Sequence, residues 1–513
     1  MNIAWTKNLI EKVSQWGVGE YIICAGARNA PLVKVLSAAE GIRLWNFFDE
    51  RSAGFFALGR MKSQRRPVAV VTTSGTAVAE LLPAVIEAHY SGLPLVIVSA
   101  DRPRRYRKSG APQSIEQVGL FSGYVDKSLD YVGGEDTFSD LSLSANAPTH
   151  INICYDEPLI DSEVSHFSLS PSVEKLDRQK PWQSLETSDT EVKAFFQKVS
   201  RPLVVVAGLE KKDRPLVKEK LLQLQSAVYL EAASGLREDP DLENFRVLGG
   251  ERALREYAKH CDGLIRMGRV PTARIWRDLE GDLKSWPVLS VSDLPFSGLG
   301  RKSALPVPLA QLSEINFEAR PQKDRAQNSM ASLFDRYPKS EPGMIHFLSQ
   351  LVPRGSAVFI GNSLPIREWD LAATIEDKNL EIHCNRGANG IDGLVSTFLG
   401  MSDSESEAWA VVGDLSALYD LNSLWVAAQV RCQKLRIVVV NNSGGMIFHR
   451  LFNDRNFENN HTLSFENWAK MFRWNYEKWS QVPSQLNLPD AACILELVPD
   501  PEQTHCFWES YNQ

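Results

Sequence analysis

An α/β fold of three doubly wound parallel-sheet domains is the class this sequence predicts, on three observations. Apolar runs of strand length alternate with helical patterns along most of the chain. Those runs are close to continuously apolar, as strands covered on both faces are. The 513 residues are too many for one hydrophobic core, and two polar stretches interrupt the alternation.

In chain order, residues 1–21 read as an amphipathic helix in which Trp5, Leu9, Val13 and Trp16 recur, without the continuous apolar core of a signal peptide. The first expected domain, 1–165, has strands at 21–25, 43–48, 68–72, 95–100 and 151–154, with helices at 53–62 and 77–89. Residues 166–189, rich in Ser, Pro and charge, read as a linker. The middle domain, 190–315, has strands at 203–207, 263–267 and 288–291, and a second polar linker covers 316–342. The last domain, 343–513, has strands at 357–360, 381–384, 408–412, 435–440 and 493–498. No short-period repeat is present.

Composition narrows the function. A net charge of −7 with intermixed signs gives no basic stripe, so no nucleic-acid partner is expected. Seven scattered cysteines without a CxxC pair fit reduced thiols in a cytoplasmic protein. No apolar run approaches the roughly 18 residues of a spanning helix, so no membrane partner is expected. Neither GxGxxG nor GxxxxGK[ST] occurs, against dinucleotide and P-loop chemistry.

The stretch 408–448 carries the strongest chemical signal. One apolar run ends in Gly413-Asp414, a helical pattern covers 421–433, and a second run ends in Asn441-Asn442. A βαβ crossover brings both strand ends to one carboxyl edge, where a carboxylate, an amide oxygen and a carbonyl suit Mg²⁺. The alternative is an ordinary βαβ unit with turn-forming Asp and Asn. Glu50 follows a strand in Asp49-Glu50-Arg51-Ser52, a place for ligand chemistry or for a helix cap. Thr73-Ser74-Gly75-Thr76 offers N–H groups and hydroxyls at a strand-to-helix turn. Arg28, Arg102, Arg367 and Arg386 all lie near strand ends, where they could hold several carboxylates; singly, each could be a surface ion pair. The loops GNS and GANGIDG allow close backbone approach. Gln113 and Gln117 are amide donors on a long loop, Cys384 reads as a buried thiol, and Trp468, Trp474 and Trp479 read as packing residues.

The motifs GARNAPL, DERSAGFFALG, TTSGTAVAELLPAVIEAHYSGLPLVIVSADRP, GAPQSIEQVGLF, GNSLPIREWD, NRGANGIDGLVST, GDLSALYDLN and VVVNNSGGMIF occur in that order over 26–125 and 361–451. Together they resemble the thiamine-diphosphate enzymes and, more narrowly, the SEPHCHC synthase family of menaquinone biosynthesis. The middle domain matches loosely, through GRVPTAR. The resemblance implies a pyrimidine domain, a Rossmann-like middle domain and a diphosphate domain. It implies an active site between the first domain of one subunit and the last domain of its partner, hence a homodimer or a tetramer. The cofactors implied are thiamine diphosphate and Mg²⁺ or Mn²⁺, and the substrates are 2-oxoglutarate and isochorismate. The implied transferase decarboxylates the first and joins the succinic-semialdehyde unit to the second by 1,4-addition, releasing CO₂ and keeping the enolpyruvyl group.

By the same resemblance Glu50 is catalytic, at the pyrimidine nitrogen. Asp414, Asn442 and the Gly444 carbonyl hold the metal. Ser74, Thr76, Ser363, Ile391, Leu415, Ser416 and Ile447 line the cofactor with Glu50 and Asp414. Arg28, Arg102, Gln113, Arg274, Arg367 and Arg386 bind substrate. Two positions depart from the family pattern: Ala27 stands where Ser is usual, and Pro112 where Asn is usual. The competing expectations are a lyase or synthase of acetolactate type, whose pyruvate needs fewer arginines, and an inactive homologue, which could dispense with the Glu50 this chain keeps.

Overall fold

The computed structural model describes residues 2–172, 187–294, 296–300, 303–321, 330–404, 406–452 and 454–513. Parts of both expected linkers, 173–186 and 322–329, lie outside the described residues. The chain forms two compact units. The first comprises Met1–Gln179, Gly390–Glu405 and Leu418–Cys432, and the second Lys180–Asn389, Ser406–Ala417 and Gln433–Gln513.

Strands of the first unit are β1 (Glu20–Cys24), β2 (Ala39–Glu40), β3 (Arg43–Phe47), β4 (Val68–Thr72), β5 (Leu95–Asp101), β6 (Lys127–Val132), β7 (Thr149–Cys154) and β8 (Phe167–Ser168). Six of them make a wholly parallel sheet in the order β3-β1-β4-β5-β7-β6. Every residue of β1, β4, β5 and β7 is buried, which explains their largely apolar character, and the polar residues among them, such as Ser99 and Asn152, are hydrogen-bonded. Against this sheet the amino-terminal helix Asn2–Gln15 buries Leu9, Ile10 and Val13.

Helix Glu50–Gln64 packs against a distant part of the chain, helix Leu394–Met401, whose residues are all buried. Small residues make this approach possible. A Cβ on Gly59 would stand 2.0 Å from the Thr397 carbonyl oxygen, and one on Gly400 would stand 2.1 Å from that of Phe56. Apolar patterning alone gives no hint of this pairing.

The second unit holds two parallel sheets. β9 (Pro202–Val206), β10 (Val228–Leu230), β11 (Gly263–Met267), β12 (Val288–Val291) and β13 (Leu305–Val307) are ordered β10-β9-β11-β12-β13. β14 (Ala357–Ile360), β15 (Glu381–His383), β16 (Ala408–Gly413), β17 (Leu435–Val440), β18 (Asn475–Trp479) and β19 (Cys493–Leu497) are ordered β15-β14-β16-β17-β19-β18. Buried polar ties join the regions around these sheets. Arg237 donates to the carbonyls of Ala373 at 2.9 Å and Thr374 at 3.0 Å, and the Ala232 N–H donates to Asp370 at 2.7 Å.

Six strands escape the sequence reading: β2, β6, β8, β10, β13 and β18. All six are sheet edges; β2, β8, β10 and β13 have only two or three residues, and the partly exposed residues of β6 and β18 dilute the apolar signal. The expected helix at 77–89 is two helices, Thr76–Ala79 and Leu82–Ser91, because Pro83 sits in the first turn of the second and cannot extend the first. The expected helix at 421–433 is an α-helix at Asp414–Tyr419 followed by a 3₁₀ segment at Leu421–Gln429. The break falls at Asp420, whose buried carboxylate accepts the Ser396 N–H at 2.7 Å and its hydroxyl at 3.0 Å. Cys384 is half-buried rather than buried, because β15 is an edge strand. Among the described residues no helix is long and apolar enough to cross a membrane.

Candidate active site

In the first unit the chemistry-bearing residues follow the carboxyl ends of neighbouring parallel strands: Arg28 after β1, Glu50 after β3, Ser74 after β4 and Arg102 after β5. Glu50 is the first residue of its helix. Asp49 before it caps the helix, accepting the N–H groups of Arg51 at 3.0 Å and Ser52 at 3.3 Å. Capping therefore falls to Asp49, and the Glu50 carboxylate is left to receive the Thr72 hydroxyl at 3.5 Å. Burial, then the charges of Asp49 and Glu80, push the Glu50 carboxyl above its ordinary range. An upward shift at a strand end suits a group that exchanges a proton near neutral pH.

A second layer fixes that end of the helix. Ser52 donates to Asp49 at 3.0 Å, Asn422 also hydrogen-bonds Asp49, and Arg51 donates to the Tyr419 carbonyl at 2.8 Å. Asp420 and Asn422, in the DLN of GDLSALYDLN, thus support the Glu50 helix. Sequence reasoning missed them because that run reads as plain helix.

Ser74 and Gln113 are bonded reciprocally: the Ser74 hydroxyl donates to the Gln113 carbonyl at 2.9 Å, and Gln113 Nε2 to the Ser74 carbonyl at 3.2 Å. Gln113 adopts a left-handed φ of 59°, uncommon for its type. Gln117, read only as a loop amide, is fully buried. Its Nε2 donates to Asn152 at 2.7 Å and to the Ala100 carbonyl at 3.0 Å, while its Oε1 accepts the Gly75 N–H at 3.2 Å. Arg28 donates to the Tyr155 carbonyl at 3.2 Å and pairs with Glu157 at 3.3 Å. Arg102 donates through Nε to the Pro112 carbonyl at 2.9 Å. The departure at Pro112 therefore removes a side-chain amide but retains the carbonyl that Arg102 uses. Thr76 is exposed and Ile391 half-buried, both in this unit.

In the second unit β16 and β17 pair with Gly413 opposite Val440, so Asp414 and Asn441-Asn442 leave the sheet side by side. Asp414 accepts the Leu415 N–H at 2.7 Å and the Gly444 N–H at 2.8 Å, and His461 Nε2 lies 3.2 Å away. Burial pushes the Asp414 carboxyl above its ordinary range, partly offset by the Leu415 and Gly444 N–H groups and by His461. The two asparagines differ. Asn441 donates to the Leu463 carbonyl at 2.9 Å and to Glu496 at 2.8 Å, and its oxygen accepts the Ser443 N–H at 3.2 Å. Asn442 donates to Glu341, but its Oδ1 is buried without a hydrogen-bond partner among the described residues.

Gly444 has φ 144°, and a Cβ there would stand 2.5 Å from the Glu458 carbonyl oxygen, so only glycine fits this turn. Among the described residues no group of three or more His, Cys, Asp and Glu could hold a metal ion. One carboxylate, an unpartnered amide oxygen and a glycine carbonyl instead fit a hard cation that shares its other positions with phosphate oxygens and water. Ser416 beside them is buried, and Leu415 and Ile447 are half-buried.

Arg367, Arg386 and Arg274 form the cationic side of this unit. Burial, then the charges of Arg386 and Arg274, lower Arg367, offset in part by Glu251. Such crowding of cations is the mark of a place for anions. Arg386 donates to Asn362 at 3.1 Å, Arg367 to the Ser363 carbonyl at 2.6 Å, and Arg274 to Glu251 at 3.1 Å. Ser363, at the start of helix Leu364–Ala372, holds a φ of 72°, a strained value for serine. His461 and Glu341 went unnoticed in sequence because neither lies near Asp414 or Asn442 along the chain.

Residues 5–120 match the family described as thiamine pyrophosphate enzyme, N-terminal TPP binding domain. The 2-succinyl-5-enolpyruvyl-6-hydroxy-3-cyclohexene-1-carboxylate synthase of Bdellovibrio bacteriovorus is 46% identical over 100% of this chain and 99% of its own. The proteins of the same name from Akkermansia muciniphila and Geobacillus kaustophilus are 36% and 34% identical, over 98% and 86% of this chain and 97% and 83% of theirs.

Proposed function

The chain belongs to the 2-succinyl-5-enolpyruvyl-6-hydroxy-3-cyclohexene-1-carboxylate (SEPHCHC) synthase family, and on that premise we propose that it decarboxylates 2-oxoglutarate and adds the remaining four-carbon unit to isochorismate. The observation that carries this reading is the unpartnered Asn442 oxygen beside Asp414 and Gly444, a cradle for the divalent cation of a diphosphate cofactor. Bound thiamine diphosphate, held with Mg²⁺ or Mn²⁺, supplies the nucleophilic carbon and the electron sink that 2-oxoacid decarboxylation requires.

The residues of the chain supply the rest. Glu50, whose carboxyl burial raises above its ordinary range, would hydrogen-bond the pyrimidine nitrogen and exchange a proton there. Asp414, Asn442 and the Gly444 carbonyl hold the cation, while Ser74, Thr76, Ser363, Ile391, Leu415, Ser416 and Ile447 shape the cofactor's bed. Both substrates are dianions. Arg28, Arg102, Gln113, Arg274, Arg367 and Arg386 would answer that charge. Ala27 removes a family hydroxyl on the acceptor-substrate side.

The family resemblance supports a homodimer in which Glu50 of one copy and the cation cradle of the other would serve one cofactor. The seven cysteines are free thiols, which supports the reducing cytoplasm as the compartment. Donor choice tests the reading. With cofactor and Mg²⁺, 2-oxoglutarate is expected to be decarboxylated in preference to pyruvate, and turnover of pyruvate alone would favour a synthase of acetolactate type.

A further inference from the structure

The side-chain amide of Asn442 is held in one orientation, and a residue 101 positions earlier holds it. Asn442 Nδ2 lies 3.0 Å from each carboxylate oxygen of Glu341. Glu341 is 3% exposed and opens the helix Glu341–Leu351. Its own placement is built: Ser340 caps the helix by accepting the Gly343 N–H at 3.1 Å, and Thr504 Oγ1 accepts the Glu341 N–H at 3.0 Å. Both carboxyl oxygens of Glu341 accept from the Asn442 NH₂, whereas a carboxamide donates from one end and accepts at the other. Facing Glu341, the amide must turn its NH₂ toward the carboxylate and its oxygen away. That oxygen is the buried, unpartnered Oδ1.

We propose that Glu341 is a positioning residue for the divalent-cation site, fixing the Asn442 amide so that oxygen rather than nitrogen is offered to the cation. The inference rests on the reading of Asp414, Asn442 and the Gly444 carbonyl as cation ligands. Either orientation of an asparagine amide fills the same volume, so packing alone would not choose between them. The choice comes from the two acceptor oxygens that Glu341 presents to the amide. In E341Q a donor faces Asn442, the amide can turn over, and its NH₂ would then meet the cation.

Mn²⁺ binding tests this without reference to turnover. Mn²⁺ is titrated into the metal-free full-length protein with thiamine diphosphate present. Free Mn²⁺ is counted by electron paramagnetic resonance, with cofactor alone as the blank. E341Q is expected to bind Mn²⁺ about 10- to 100-fold more weakly than the unmodified chain, the range for groups that orient metal ligands. The double variant E341Q/N442D is expected to recover most of that loss, since N442D offers one oxygen to the cation and another to the amide at position 341. A contact that served only the helix would not be repaired this way. E341A, which removes the acceptor without adding a donor, is expected to weaken binding less and provides the reading if E341Q does not fold. N442A is expected to lose binding. Unchanged affinity in E341Q or E341A, or a double variant no tighter than E341Q, would overturn the inference while N442A still loses Mn²⁺. Unchanged affinity in N442A would overturn the ligand reading beneath it.

Discussion

Arg60 grips Glu20 with two parallel hydrogen bonds, Nε to Oε2 at 2.8 Å and Nη2 to Oε1 at 2.7 Å, and both side chains are buried in the first unit. The remaining nitrogen of the guanidinium donates to the Gly400 carbonyl at 3.1 Å, and the Trp45 indole donates to Glu20 at 2.8 Å. This pair ties β1 to the Glu50 helix and to helix Leu394–Met401. Removing one partner strands the other charge inside, at a cost of about 3–5 kcal/mol. Arg60→Ala is therefore expected to lower the unfolding free energy by that much, read as a lower denaturant midpoint, and a midpoint equal to the unmodified chain's would contradict the role.

The same pair sets a pH dependence. Burial raises the Glu20 carboxyl, but the hydrogen bonds and charge of Arg60, with Trp45, outweigh it and hold the group below its ordinary 4.5. A carboxyl lowered by folding adds stability above its unfolded value and loses it as pH falls through the folded one. The stability gap between the unmodified chain and Glu20→Gln is thus expected to be full at neutral pH and to close below about pH 4.5. A gap that stays constant on acidification would count against it.

Gly59 makes the two helices of the first unit meet. The nearest atom to an added Cβ, at 2.0 Å, is a backbone oxygen, which cannot swing aside. Gly59→Ala is expected to cost about 1–3 kcal/mol in urea unfolding, the usual range for overpacking. A neutral or stabilising effect would show that the helices can separate freely.

Glu50 gives a functional prediction that leaves the fold alone. Asp49, not Glu50, caps the helix, so Glu50→Gln is expected to keep the thermal midpoint within a degree or two while cutting turnover about 100- to 10,000-fold. Turnover at the unmodified level would remove Glu50 from the chemistry.

Asp414 links cofactor to stability. Thiamine diphosphate with Mg²⁺ at about 100 times its dissociation constant is expected to stabilise the unmodified chain by roughly 2.7 kcal/mol. Asp414→Ala is expected to abolish that shift in a thermal scan. An undiminished shift would mean the cation is held elsewhere.

How much of this was legible beforehand depended on burial and sequence distance. Interior strands such as β4 and β17 are apolar at almost every position, and their positions could be read directly. The edge strand β18, with its sequence NYEKW, could not, because only Trp479 of its five residues is buried. Residues that follow strands, such as Glu50, Arg28, Asp414 and Asn442, announced themselves by position. Their supports did not. Gln117, Asp420, Glu341 and His461 act through contacts between segments far apart in the chain, and nothing in local patterning marks them. Position after a strand left open which asparagine of the pair is available, and the family resemblance chose Asn442. Asn441 spends its amide on Glu496 and Leu463, and only Asn442 retains an uncommitted oxygen.

The most direct test is the product formed from two substrates together. With Mg²⁺ and thiamine diphosphate, the protein is given 2-oxoglutarate carrying a labelled C1 carboxylate along with isochorismate, and the products are followed by mass spectrometry and label release. The expected result is one labelled CO₂ for each adduct formed, with the adduct still carrying its enolpyruvyl group and no free pyruvate released. Consumption of neither substrate, or CO₂ release with isochorismate left unchanged, would contradict the assignment.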